Sequence, residues 1–146
     1  MPYCPNPEQA NSTAANEKYV GPMSIKIMIV DNHAEFRDAV ARYLTLPELG
    51  CLVVGQAATG ADGLDAVAAK RPDVVLIDIS LPDQSGPAVM ERVHEVSPDT
   101  AVIIIANQPE DEYRRAAFDA GAAAYLMKQE LVIALPAVLE TITKGS

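Results

Sequence analysis

Short apolar runs and helically spaced apolar residues alternate along this chain from residue 25 to residue 142. The runs fall at 25–30, 51–54, 74–77, 102–105 and 122–127; they are mostly β-branched, as strands buried on both faces are. Helical spacing places Phe36, Val40, Tyr43 and Leu44 on one helix face, Leu64, Val67 and Ala68 on a second, and Val89, Val93 and Val96 on a third. Tyr113, Ala116, Ala117 and Ala120 form a fourth face, and Leu131, Leu135, Val138, Leu139 and Ile142 a fifth. This βα alternation predicts an α/β fold, with a parallel sheet covered by helices on both faces, because parallel strands need crossovers and crossovers are right-handed. The expected strand order is 2-1-3-4-5, the flavodoxin-like doubly wound (βα)5 arrangement, which sets the first and third strands side by side and binds ligands at the strands' carboxyl ends.

Polar residues interrupt the pattern at those ends. Asp31 ends the first run, Asp78 ends the third, and Lys128 follows the fifth. Pro82 and the Ser85-Gly86-Pro87 cluster force a loop after Asp78, with Pro87 in the first turn of the next helix. Two adjacent carboxylates stay comfortably ionised only beside a cation. Magnesium suits them, since it prefers hard oxygen ligands and keeps waters that phosphate oxygens can replace. A carboxylate near such an ion can attack phosphorus to give an aspartyl phosphate, and the Lys128 ammonium would meet the new charge.

Composition narrows the choice. The 146 residues suffice for one domain, expected at 24–144, with residues 1–23 as a disordered tail rich in Pro, Asn, Ser and Ala. That tail lacks the basic start and apolar centre of a secretory signal, and no run is long enough to span a bilayer, so no membrane association is expected. A net charge of −9 argues against nucleic-acid binding by this domain. Cys4 and Cys51 suggest neither a disulfide framework nor a zinc site, which fits a cytoplasmic protein. His33 and His94 read as structural or surface residues, without partners at metal spacing. Glu110, Asp111 and Glu112 follow Pro109 at the start of the fourth helix, where negative charge favours the helix dipole.

Ile-Val-Asp at 29–31, Leu-Ile-Asp-Ile-Ser-Leu-Pro at 76–82, Gly86 and Ala-Gly-Ala-Ala-Ala-Tyr-Leu-Met-Lys at 120–128 together resemble a response regulator receiver domain of two-component signal transduction. The resemblance implies that Asp78 is the phosphoacceptor and that Asp31 belongs to the acidic pocket near Mg2+. It further implies that the Ser80 backbone carbonyl completes the metal shell and that Lys128 pairs with the phosphoryl group. Tyr125 matches an aromatic position that moves between exposed and buried rotamers. The implied donor is a histidine kinase or phosphotransfer protein, and the implied output face is the fourth helix, fifth strand and fifth helix. On that face Arg114 and Arg115, following the acidic cluster, would suit a homodimer. His33 and the 120–128 stretch are similar to those of receivers that carry a helix-turn-helix DNA-binding domain in a longer parent protein.

Two positions depart from the family pattern. Asn32 stands where a second acid usually ligates the metal; its carbonyl can coordinate without charge, so weaker Mg2+ binding is expected. Asn32 is also a candidate N-cap for the helix starting near His33 or Ala34. Ala106 stands at the usual Ser or Thr, whose charge-assisted bond to a phosphoryl oxygen is worth about 1.5–3 kcal/mol. That is a substantial part of the ~5.5 kcal/mol needed to take a two-state switch from 1:99 to 99:1. These departures support a second expectation, a pseudo-receiver whose interactions do not depend on phosphate. A flavin site is disfavoured because Asp-Asn-His-Ala-Glu, not a Gly, Ser and Thr cradle, follows the first strand. A nucleophile elbow, a catalytic triad and a Walker loop are all missing from the sequence, so the expected chemistry extends at most to the domain's own phosphorylation and dephosphorylation.

Overall fold

Strands and helices alternate in the order β1 (Lys26–Val30), α1 (Ala34–Leu44), β2 (Leu52–Ala57), α2 (Gly60–Lys70), β3 (Val74–Asp78), α3 (Gly86–Val96), β4 (Ala101–Ala106), α4 (Asp111–Asp119), β5 (Ala124–Met127) and α5 (Leu131–Lys144). This computed structural model describes residues 25–107 and 111–144. The expected tail at 1–23, together with Pro109 and Glu110, lies outside the described residues, as do the side chains of Asp111, Glu112 and Tyr113. The five strands form one parallel sheet in the order β2-β1-β3-β4-β5, the topology expected from the pattern.

Alternate residues of each central strand feed opposite cores, as the two-residue period of a strand requires. Met28, Val75, Ile77 and Ile104 pack with Leu64, Val67, Val89 and Val93 of α2 and α3. Ile27, Ile29, Leu76, Ile103 and Ile105 pack with Val40 and Leu44 of α1 and with Leu135 and Leu139 of α5. The sheet is thus buried on both faces, which explains the continuous apolar runs of β1, β3 and β4.

The edges of the sheet are where pattern and structure part. β2 runs to Ala57 rather than stopping at residue 54, because its backbone pairs with β1 through Val30 and Ala57 irrespective of the polar Gln56. As an edge strand it is covered incompletely, and Leu52 is 46% exposed. β5 begins at Ala124, two residues later than the apolar run, because Gly121 turns the chain with a φ of 108° and Ala122 N–H donates to the Ala117 carbonyl. Ala68 and Ala116, expected on buried helix faces, are exposed, and Val96 is largely so. In α2 and α4 a single residue, Val67 and Ala117 respectively, reaches the core at that point, and the adjacent position rotates into solvent.

α5 contains Pro136, which has no N–H for the carbonyl of Val132 one turn earlier. The Tyr43 hydroxyl donates to that carbonyl at 2.7 Å, so a side chain of α1 supplies the missing bond. Burial, and next the Cys51 side chain, raise the Tyr43 pKa.

Candidate functional site

Three strands deliver three charged side chains to one end of the sheet. Asp31 follows β1, Asp78 closes β3, and Lys128 opens the 3-10 turn (Lys128–Glu130) that follows β5. β1 and β3 are hydrogen-bonded neighbours, so the topology alone brings the two acids together. Lys128 Nζ lies 2.8 Å from Asp31 Oδ2 and 3.6 Å from Asp78 Oδ2. Asp31 is 0% exposed and Asp78 3% exposed, unusual for carboxylates unless something compensates them.

Each part of this arrangement has a local cause. Asp31 N–H donates to the Ala57 carbonyl at 2.9 Å, and Arg37 of α1 donates to the Asp31 carbonyl, fixing the chain as it leaves β1. Past Asp78, Ile79 N–H donates to Ile105 O and Gly86 N–H to Ile79 O, each at 2.9 Å, which folds the loop back over the strand end. Gly86 is required there: a Cβ would stand 2.6 Å from the Asp78 carbonyl oxygen and 2.8 Å from Ile79 Cα. Ser85 caps α3 by accepting from Ala88 N–H, and Pro87 occupies the first turn as expected. Asp83, from the same loop, accepts from Gly60 N–H at 2.8 Å and Ala61 N–H at 3.0 Å, tying the loop to the start of α2. Lys128 is steadied by the Phe36 ring, whose centroid is 4.5 Å from Nζ.

Burial, and next the charge of Asp31, push the Asp78 carboxyl above its ordinary range; the Ser80 N–H, Lys128 and His33 work in the opposite direction. The donor set fits a divalent cation. Asp31 Oδ2 is buried without a hydrogen bond and meets Lys128 only as an ion pair, and Asp78 Oδ2 lies on the same side of the pocket as that ammonium. Both are hard oxygens of the kind magnesium prefers. Ser80 follows in the loop, its N–H donating to Asp78 Oδ1 at 3.2 Å.

Two expectations need correction here. Asn32 is exposed and does not cap α1; the N-cap is His33, which makes no side-chain cap bond. His33, expected to be a structural or surface residue without partners, does belong to the site. Its side chain is 59% exposed, yet Nδ1 lies 3.0 Å from Asp31 Oδ1 and its backbone N–H donates to the same oxygen at 2.7 Å. The signal in the sequence was the spacing Asp31-Asn32-His33: an Asx-type turn at a strand end bends the second residue's side chain back over the acid.

Ala106 ends β4, buried beside Met127 of β5 and 2% exposed. Asn107 is exposed. Tyr125 is 2% exposed, with the Arg114 guanidinium stacked 4.8 Å from its ring centroid and an Arg114 bond to its carbonyl at 3.4 Å.

The sequence pattern of the response regulator receiver domain matches residues 27–140. The chain belongs to that family. Among curated relatives, the receiver is 36% identical over 104 residues to the response regulator GacA of Pseudomonas aeruginosa, covering 71% of this chain and 48% of GacA. It is 34% identical over 104 residues to the transcriptional regulatory protein YhcZ of Bacillus subtilis, with the same coverages of 71% and 48%. This chain therefore spans about half the length of the curated relatives it matches. Among solved structures, the signal receiver domain of the putative response regulator NarL from Mycobacterium tuberculosis superposes with a TM-score of 0.72 at 32% identity, covering 82% of this chain and 98% of that one. Receivers of such transcriptional regulators are signalling domains. No helix among the described residues of this receiver is long and apolar enough to cross a membrane.

Proposed function

We propose that this receiver takes a phosphoryl group from the phosphohistidine of a histidine kinase or phosphotransfer protein onto Asp78. The observation that carries the reading is the convergence of Asp31, Asp78 and Lys128, two buried acids and one ammonium, from non-consecutive strands. The Asp78 carboxylate oxygen attacks phosphorus, the phosphorus–nitrogen bond breaks, and the donor imidazole takes the electron pair. Asp31, Asp78, the Asn32 side-chain carbonyl and the Ser80 backbone carbonyl would hold Mg2+, which when bound neutralises phosphoryl oxygens. Asn32 contributes no charge, so the ion is held weakly. Lys128 transfers its ion pair from the acids to the new phosphoryl charge.

The output surface in this reading is α4, β5 and α5, where Tyr125 and Arg114 meet and where exposed Phe118 offers an apolar contact for a homodimer. In a longer parent protein it would act on a DNA-binding domain, in the cytoplasm.

A second reading, a phosphate-independent interaction module, is favoured by one pair of observations. Ala106 has no hydroxyl to draw toward a phosphoryl group, and Tyr125 is already buried under Arg114 without one. Incubation with Mg2+ and a small phosphodonor, read by intact mass with Asp78→Asn as control, tests the first reading. Addition of one phosphoryl mass to the wild type alone supports it, and no addition overturns it. Hydrogen exchange on the phosphorylated protein then separates the two. Changed protection in β4, α4 and β5 marks a working switch, and unchanged protection leaves the module reading.

A further inference from the structure

We propose that Phe36 is a positioning residue for phosphoryl transfer: its ring face keeps the Lys128 ammonium in the pocket and lets it pass from Asp31 to the phosphoryl group arriving on Asp78. The inference rests on the phosphoryl-transfer reading above and assigns that reaction a residue outside its charged and metal-binding groups. Lys128 Nζ lies 4.5 Å from the centroid of the Phe36 ring, with Asp31 Oδ2 at 2.8 Å, Asp78 Oδ2 at 3.6 Å and His33 Nδ1 at 3.4 Å. Phe36 stands in the first turn of α1, and Val40 and Leu44 follow about one helical turn apart on the same face. Val40 and Leu44 are buried in the core shared with the sheet and α5, whereas Phe36 is only half-buried and packs against that core. Packing alone would be served by any large apolar residue at this position. An aromatic ring adds a negatively polarised face, and the ammonium rests over it.

The need for such a face follows from Lys128 itself. Its ammonium is carried on a flexible four-carbon stem, so the backbone of the 3-10 turn does not fix where the charge sits. Two carboxylates hold it while Asp78 is unmodified. As an Asp78 oxygen bonds to phosphorus, the donor's phosphorus–nitrogen bond breaks and the nitrogen leaves with the bonding pair. The charge to be met then moves outward from Asp78 onto the phosphoryl oxygens, and the ammonium has to shift toward them and away from Asp31. A hydrogen bond weakens steeply as its geometry departs from the optimum, but a ring face attracts a cation anywhere within roughly 6 Å of its centroid. Contact with Phe36 therefore persists through the shift. The ring favours neither Asp31 nor the phosphoryl group, and it limits the positions the ammonium can explore before transfer.

The test is the rate of phosphoryl uptake from phosphoramidate at saturating Mg2+, followed by intact mass. It compares the wild-type full chain, Phe36→Leu and a chain carrying a ring-fluorinated phenylalanine in place of Phe36. Leucine keeps an apolar side chain without a π-face, while fluorination keeps the ring's shape and weakens its negative face. Uptake is expected to slow on the order of three- to tenfold in Phe36→Leu and about twofold or more with the fluorinated ring. A role in packing alone would leave the fluorinated protein at the wild-type rate. Proton NMR gives a readout that needs no reaction: the Lys128 methylene next to Nζ should carry an upfield ring-current shift that Phe36→Leu removes. Equal rates in wild type and fluorinated protein, faster uptake in Phe36→Leu, or a Lys128 methylene shift unchanged by Phe36→Leu overturns the proposal. Failure of the wild type itself to gain a phosphoryl mass overturns the receiver reading and this inference together, whereas any of the preceding outcomes beside normal wild-type uptake overturns this inference alone.

Discussion

Lys128 Nζ stands nearer to Asp31, at 2.8 Å, than to Asp78, at 3.6 Å. The ammonium thus compensates Asp31, the fully buried acid of the pair, more closely than it does Asp78. Removing it isolates a buried charge. Lys128→Met is expected to lower stability at neutral pH by roughly 3–5 kcal/mol, the usual range when one partner of a buried pair is lost. Urea denaturation checks this. Adding a divalent ion to the variant should recover part of the loss, because cation and ammonium serve the same two carboxylates.

Gly86 sets how closely the loop can return over Asp78. Gly86→Ala places a methyl group against the Asp78 carbonyl oxygen and Ile79 Cα, both backbone atoms that cannot step aside. The expected result is a loss of about 1–3 kcal/mol, as for other overpacked sites, together with slower phosphoryl uptake by the displaced carboxylate. Thermal unfolding and intact-mass time courses measure the two effects.

Tyr43 and Pro136 form a coupled pair: the phenol serves the carbonyl that the proline leaves without a helical donor. Tyr43→Phe is expected to cost about 0.5–1.5 kcal/mol. In a Pro136→Ala background the same change should cost much less, because the alanine N–H takes over the Val132 carbonyl. A double-mutant cycle with no interaction energy would contradict this account.

Asp83 supplies the pH-dependent contribution. Its bond from Gly60 N–H, foremost, and then that from Ala61 N–H hold its carboxyl below the ordinary aspartate range, against a smaller opposing effect of desolvation. A depressed folded value means that the stabilisation is complete above the unfolded aspartate range and disappears as pH falls through the folded value. Asp83→Ala should therefore show a lower melting temperature than wild type at neutral pH. The two melting curves should converge in acid, and a gap that widened on acidification would refute the assignment.

The central strands and the two acids were legible in the sequence because both follow from one physical condition. A strand buried on both faces must be continuously apolar, and a charged residue that breaks such a run marks where the apolar strand ends. β1, β3 and β4, with Asp31 and Asp78, satisfy that condition. The extent of β2 was obscured because backbone pairing with β1 does not require an apolar Gln56. Membership of His33 in the site was obscured for a different reason: metal-spacing rules look along one element, whereas His33 reaches Asp31 through a turn between β1 and α1. The Asp83 bridge to α2 and the Tyr43 bond to Val132 join residues far apart in the chain, and such pairs have no periodic signature.

The charged pocket draws on β1, β3 and β5, and this has a consequence for assembly. The two acids can meet once the first three strands associate, but the ammonium arrives with the last strand. Closing the sheet and neutralising the pocket are therefore one event, so partly assembled forms carry a repulsion that the complete fold relieves. The long chain separation of these contacts makes the step slow relative to formation of the individual helices. The site thereby helps to make folding all-or-none, since no shorter portion of the sheet satisfies its own charges.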